Sequence, residues 1–267
     1  MKQNSRYIVA VRGGGDIATG VVQKFFRAGF CVVILETPKP TAIRRNVCLS
    51  EAVYEGKAEV EDIPAQRLES PEQLGECWAS KKVALLVDPS GESLGKIRPH
   101  CLVDAILAKR NLGTRKDMAG VTIGLGPGFY AGRDVDAVIE TMRGHSLGRL
   151  ITSGPALTNT GSPGEIGGKS EQRVLRSPAD GVLVPSRQIG EVVKPGESVF
   201  EVGGQQVKAP FEGVIRGLLR GGSQVFPGMK SADIDPRLDV DWQTISDKAR
   251  CIGGAVLEAF FYLEGAR

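Results

Sequence analysis

The chain has 267 residues, 41% hydrophobic and 24% charged, with a formal net charge of +3. That is the composition of a globular protein with one large domain or two ordinary ones; no basic tail suggests nucleic acid, and no apolar run approaches the ~18 residues of a membrane span. The start, MKQNSRY, lacks the apolar core of a signal peptide, so a cytoplasmic location is expected.

Residues 7–12 read as a strand, Gly13, Gly14 and Gly15 follow, and a helical run then stops at Gly29. Gly13-x-Gly15-x-x-Ala18, between a strand and a helix, fits a dinucleotide-binding loop with alanine in the third place. A second strand, 30–36, ends on Glu36, where an acid could bind a ribose hydroxyl. Asp16 opposes that reading, because its carboxylate at the helix start takes the place a pyrophosphate would want. Arg12 could offset it. The other reading of the loop is a tight turn capped by Asp16.

Next comes the pair Arg44 and Arg45, which could hold a phosphate bidentately or lie in a solvated loop. A third strand, 82–88, ends on Asp88. Residues 97–111 carry Leu102, Ala105, Ile106 and Leu107 as a helical stripe, and 121–126 read as a further strand. Gly126 and Gly128 follow at a strand end, the edge where open parallel sheets bind ligands. In 134–144, Val135, Val138, Ile139 and Met142 mark one helical face, with Asp134 and Asp136 at its start as caps or, with Asp88, as oxygen ligands for Mg²⁺. His145 lies after that helix between Arg143 and Arg149, a setting for an anion. Short apolar strands alternating with helices predict a Rossmann-like parallel α/β sheet domain over 1–165.

Residues 150–170 are rich in Gly, Ser, Thr and Pro and read as a linker. Beyond it, 177–202 and 209–234 align as two copies of a small β motif: Pro, then Gly-Val-Leu/Ile, a glycine turn, then Val-x-Pro-Gly. The duplication resembles the biotinyl/lipoyl barrel-sandwich hybrid and covers 172–236. A carrier domain needs a lysine at the hairpin tip, and the tip here is Gly203-Gly204-Gln205-Gln206, so no lipoyl or biotinyl group is expected. From Ser246 a last helix carries small residues on one face, and 237–267 is expected to pack back on the α/β domain.

The five cysteines form no C-x-x-C pair and their number is odd, which disfavours a disulfide framework or a zinc ribbon. Two distant histidines give no transition-metal site.

VRGGGDIATG (11–20), AIRRNVCLSEAVYEG (42–56), DAILAKRN (104–111), 123–149 and ISDKARCIGGAVLEA (245–259) together resemble the YqeB family of the selenium-dependent molybdenum hydroxylase system. The resemblance implies an accessory role in maturing a molybdenum hydroxylase. Its partners would be that enzyme and its maturation proteins, and its ligand molybdopterin cytosine dinucleotide or another nucleotide. It assigns no catalytic residue. NAD stands behind those ligands because of Asp16. Two other readings stay open: an NAD-dependent oxidoreductase with an appended β module, and a non-catalytic protein-binding scaffold. A homo-oligomer is also open.

Overall fold

A computed structural model of the chain describes residues 7–159, 161 and 164–266. The chain divides into two units, one of 1–40, 48–159 and 245–267, the other of 41–47 and 160–244. The second unit thus takes seven residues that the sequence places inside the first domain.

In the first unit, β1 (Ile8–Arg12) is apolar and buried, and leads through the glycines into α1 (Asp16–Arg27). Asp16 in its first turn and Lys24 and Arg27 in its last suit the helix dipole. β2 (Cys31–Glu36) follows, then α2 (Ala52–Glu55), β3 (Lys57–Val60) and β4 (Ile63–Leu68). α3 (Leu74–Ala79), β5 (Val83–Val87), α4 (Leu94–Ile97), β6 (Cys101–Asp104) and β7 (Val121–Leu125) come next. β8 (Tyr130–Ala131), β9 (Ala137–Ile139), β10 (Leu150–Ile151), β11 (Gly154–Pro155) and, after the second unit, α5 (Asp247–Gly265) complete it. β8 and β11 pair with each other. The main sheet has nine strands in the order β10-β9-β7-β6-β1-β2-β5-β4-β3. Its inner strands are parallel and the edge strands β3 and β10 are antiparallel. Both faces are covered: Ala10, Val33, Leu35 and Leu102 pack under α3 and α4, while α1 and α5 lie together on the other face. The chain runs from β1 outward through β2, and after β5 returns to β6 on the other side of β1. The crevice at the carboxyl ends of β1 and β6 is therefore the switch point of the sheet, the usual ligand position in such folds.

Two expected helices are strands. Residues 97–111 hold the end of α4 and then β6; Pro99 interrupts the helix, and 101–105 are buried on both faces, so no strand alternation was there to be read. In 134–144 the buried element is β9, bracketed by Gly132 (φ +86°) and Gly144 (φ +119°), and its 3.6-residue spacing is coincidental. Asp134, Asp136 and His145 therefore stand on turns, not at helix ends.

Among the described residues the second unit has eight strands: β12 (Val174–Arg176), β13 (Gly181–Pro185), β14 (Val192–Val193), β15 (Ser198–Val202), β16 (Gln205–Lys208), β17 (Gly213–Leu218), β18 (Gln224–Val225) and β19 (Lys230–Asp235). They form two four-stranded antiparallel sheets, β12-β19-β17-β14 and β16-β15-β13-β18. The alignment of the two repeats sets β13 against β17, β14 against β18 and β15 against β19, and each gives its middle strand to the other's sheet. Leu183, Phe200, Val202, Ile215, Leu218 and Ile234 fill the core. Gly203 (φ +58°) and Gly204 (φ +76°) supply the left-handed pair of the β15–β16 hairpin. The segment 41–47 lies along β17: Leu218 N–H donates to the Ile43 carbonyl at 2.7 Å, and Gly217 permits the approach because a Cβ there would meet the Ile43 carbonyl oxygen at 3.1 Å. Among the described residues no helix is long and apolar enough to cross a membrane.

Candidate functional site

Around the glycine loop each glycine has its own reason. Gly13 takes φ +93° and lies against the Ala105–Ile106 backbone; a Cβ on Gly14 would meet the Ser50 amide at 3.0 Å; around Gly15 nothing stands within 4 Å. The loop is held from behind. Gly14 N–H donates to Glu36 Oε1 at 3.0 Å, Thr37 N–H donates to Glu36 Oε2, and Ser50 N–H donates to the Gly14 carbonyl at 2.9 Å. Glu36 thus shapes the loop with both oxygens rather than standing clear for a ribose. Gly15 is the N-cap of α1 and makes no side-chain cap, and Asp16 is the first helical residue rather than the cap. Among the described residues the N–H groups of Gly15, Ile17 and Ala18 have no partner, as at an open helix start.

Arg12 does not reach toward that opening. It is buried, donating to Thr114 Oγ1 at 2.6 Å and to the Pro89 carbonyl at 3.0 Å, with Asp104 at 3.7 Å. Thr114 Oγ1 in turn donates to Asp104 Oδ2 at 2.6 Å. Burial pushes the Asp104 carboxyl up, against its bonds with Thr114 and Ile106 and the charge of Arg12. This triad ties together the loops after β1, β5 and β6. It anchors the 105–113 loop, in which Leu107 (φ +60°) and Lys109 (φ +61°) are left-handed without being glycine. Such strain persists only where surroundings hold it, often at ligand sites. The loop is held at its start by Asp104, which accepts from Ile106 N–H, and at its end by Asn111, which accepts from Gly113 and Thr114 N–H. It is flanked by Gly13 on one side and Gly128 on the other, where a Cβ would stand 2.7 Å from the Arg110 backbone. Exposed Arg110 makes no hydrogen bond or ion pair among the described residues.

Lys248, at the start of α5, carries no signature along the chain. Its half-buried amine makes no hydrogen bond or ion pair among the described residues. Burial and then repulsion from Arg143 push it below the usual lysine range, while Asp16, Glu140 and Asp247 pull the other way. Asp16, which would repel an anion at the start of α1, therefore has a cation nearby. Glu140 is buried and accepts from Met142 and Leu157 N–H, each at 2.8 Å.

The remaining expected residues each have a local role. Asp88 follows β5 and Gly126 follows β7, each two strands from β1 on opposite sides. Asp88 caps its own turn, accepting from Gly91, Glu92 and Ser93 N–H at 2.8–3.0 Å. Gly126 (φ +72°) makes room for Thr141. Asp136 accepts from Thr122 N–H at 2.9 Å, at the opening of β7, and so lies at the opposite edge of the sheet from Asp88. Asp134 accepts from Tyr130 N–H and pairs with Arg133, which holds its carboxyl below the usual range. The three carboxylates weighed as alternative ligands for Mg²⁺ are thus split, and among the described residues no group of three or more acids, histidines or cysteines could hold a metal. His145 is exposed on the β9–β10 turn, and its neighbour Arg143 pairs with Asp247 at 3.0 Å. Arg44 and Arg45 belong to the second unit, where Arg45 Nε donates to the Leu218 carbonyl at 2.8 Å. Cys48 and Cys101 are buried in the first unit's core, and burial raises the Cys101 thiol far above its usual range.

What remains is an open helix start at the switch point, with one cation beside Asp16; another, Arg110, stands on the strained loop after β6. This donor set fits a phosphate or similar anion; nothing in it selects a base or a pterin.

The chain is 48% identical, over 257 residues, to the uncharacterized protein YqeB of Escherichia coli K12. This likeness supports the YqeB family. It takes in 96% of this chain and 48% of that protein, so the chain spans about half the length of the relative it matches. No family model matches the chain. Among solved structures it is similar to an aspartoacylase family protein of Mesorhizobium loti, with 11% identity, 86% of each chain and a TM-score of 0.28. It is also similar to the product-bound ectoine utilization protein EutE (DoeB) of Ruegeria pomeroyi, with 14% identity, 79% of this chain and 61% of that one, and a TM-score of 0.23. A succinylglutamate desuccinylase of Silicibacter gives 10% identity, 85% and 84% coverage, and 0.25. Scores this low carry no argument about function.

Proposed function

We propose that the first unit binds a nucleotide-type anion at the β1/β6 switch point and that the protein is an accessory factor in maturing a selenium-dependent molybdenum hydroxylase. The observation that carries the binding reading is the open start of α1: unpartnered N–H groups at Gly15, Ile17 and Ala18, with open space where a side chain on Gly15 would stand. Arg110 and Lys248 would meet the ligand's charge, and molybdopterin cytosine dinucleotide or another nucleotide is the ligand class. The second unit, read as a barrel-sandwich hybrid without a carrier lysine at its Gly203-Gly204 tip, takes no lipoyl or biotinyl group. The accessory role comes from the family resemblance. A ligand crevice without a recognisable acid, base or nucleophile at its mouth suits holding a cofactor better than transforming a metabolite.

Gly15→Val tests the site cleanly. The fold has space for the side chain and the backbone at φ −68° accepts it, whereas a bound phosphate would not. Calorimetry with cytidine nucleotides should show binding in the wild type and loss in a folded Gly15→Val protein; unchanged binding in the variant, or none in the wild type, rejects the placement. The role is tested in a deletion strain grown with selenium and molybdate. Hydroxylase polypeptide should accumulate with reduced activity and bound selenium, while molybdenum enzymes outside that family stay active. Normal selenium content and activity would reject the role.

A further inference from the structure

The second unit holds a buried cluster that the reading above does not use. Asp233 and Asp235 on β19 alternate with the core residues Ala232 and Ile234, so they face away from the core, yet both are buried. Arg216 stands opposite them. The β17–β19 register jumps between Ile215 and Gly217, which makes Arg216 a bulge residue, a device that re-aims a side chain. Arg173, ahead of β12, and Arg44, from the 41–47 segment, complete the cluster.

The carboxylates are already engaged. Asp233 accepts from Arg173 Nη2 at 2.9 Å, and Asp235 accepts from Arg237 Nε and Nη2 at 2.9 and 2.8 Å. Arg216 is left with Asp235 at 3.7 Å and makes no hydrogen bond among the described residues, although its side chain is only 11% exposed. Its Nε and that of Arg173 are buried without a hydrogen-bond partner. Burial, then repulsion from Arg44, lowers the Arg216 pKa, with Arg173 adding to the effect and Asp233 and Asp235 opposing it. A guanidinium has five N–H donors, and leaving a buried one unmet beside other cations is costly unless an anion arrives.

We propose that the outer face of the β12-β19-β17-β14 sheet is an oxyanion site, with the Arg216 guanidinium as principal donor and Arg173 beside it, and with a phosphoryl group as the ligand. The planar fork of arginine matches two phosphate oxygens, and a dianion meets more than one fork at once, which a single carboxylate does not. This inference stands apart from the first unit's site.

The experiment uses the full chain carrying Gly15→Val, so that the first unit's opening is blocked. Binding is measured by calorimetry and thermal unfolding with inorganic phosphate and inorganic pyrophosphate, against chloride and acetate at equal ionic strength. Saturable phosphate or pyrophosphate binding, one per chain, is expected, with chloride and acetate without effect. Arg216→Lys keeps the charge and loses the fork, and should weaken binding about tenfold to a hundredfold. Arg216→Gln should abolish it. Should Arg216→Gln fail to fold, Arg216→Lys alone decides. No phosphoryl-specific binding in the parent, equal binding of acetate, or unchanged affinity in folded Arg216→Lys would overturn the inference.

Discussion

Gly20 of α1 and Gly253 of α5 face each other where the two helices cross: a Cβ on Gly20 would stand 2.5 Å from the Ala249 carbonyl oxygen, and one on Gly253 would strike the Gly20 carbonyl. Further along, Phe25 and Phe260 pack edge to face at 5.9 Å, so the helices run in the same direction and both start at the carboxyl edge of the sheet. The crossing therefore fixes where Lys248 stands relative to Asp16. Gly253→Ala should destabilise the protein by about 1–3 kcal/mol through overpacking. That loss outweighs the gain of up to about 1 kcal/mol that alanine brings to a helix interior. Urea unfolding measures it, and a variant as stable as the wild type would mean that the helices do not touch there.

Thr114 has a comparable weight on a different scale, since one hydroxyl serves both Arg12 and Asp104. Thr114→Val keeps the shape and strands two buried charged groups, at a cost of about 1–3 kcal/mol. Thr114→Ser should recover most of it. Hydrogen exchange should rise in 105–113 before it rises in β1, because the triad anchors that loop. Exchange rising evenly over the sheet would argue against an anchoring role.

The parts of this fold that were legible in the sequence are those with a local signature. The glycine loop and the apolar runs of β2, β5 and β7 announce themselves in short stretches, and the duplicated β motif through self-similarity between 177–202 and 209–234. β6 and β9 did not, because a strand buried on both faces has no alternation, and chance spacings at Leu102–Ile106 and Val135–Ile139 imitated a helix. That error hid Asp104, which reads correctly once Cys-Leu-Val-Asp is seen as a central strand ending on an acid. Lys248 and Arg216 were illegible for another reason. Each owes part of its setting to a partner more than a hundred residues away in sequence, Asp16 for one and Arg44 for the other. No pattern along the chain carries that information.

Asp88 gives a pH-dependent test. Burial pushes its carboxyl up, but hydrogen bonds from the Ser93 side chain and from the Ser93, Glu92 and Gly91 N–H groups prevail and hold it below the ordinary 3.8. A carboxyl depressed by folding contributes stability that is present above its unfolded value and lost as pH falls through the folded one. Asp88→Asn should cost about 0.5–2 kcal/mol at pH 7, the scale of a lost cap. The gap from the wild type should close as the pH is lowered below 3.8. Unfolding midpoints across an acid series check both, and a gap that stayed constant would assign the effect to shape rather than charge.

Lys248 makes the opposite kind of prediction. Its folded pKa lies below the ordinary 10.5, so between the two values the unfolded chain holds the extra proton. Stability from this group therefore rises as pH climbs through the folded value toward 10.5, and the cost of the buried ammonium is fully present below that window. Lys248→Met removes the titration and keeps most of the volume. In the absence of ligand the variant should be at least as stable as the wild type at pH 7 and flatter in alkali. A nucleotide phosphate at the start of α1 would favour the charged amine, so in the alkaline window below 10.5, where the unliganded amine is losing its proton, the wild type should take up protons on binding, and the variant should bind more weakly without that uptake. Calorimetry in two buffers of different ionisation enthalpy reads the uptake directly. Identical alkaline profiles for the two proteins would show that the amine is solvated, and nucleotide binding with unchanged affinity in Lys248→Met would remove it from the site while leaving the Gly15 opening to stand or fall on its own test.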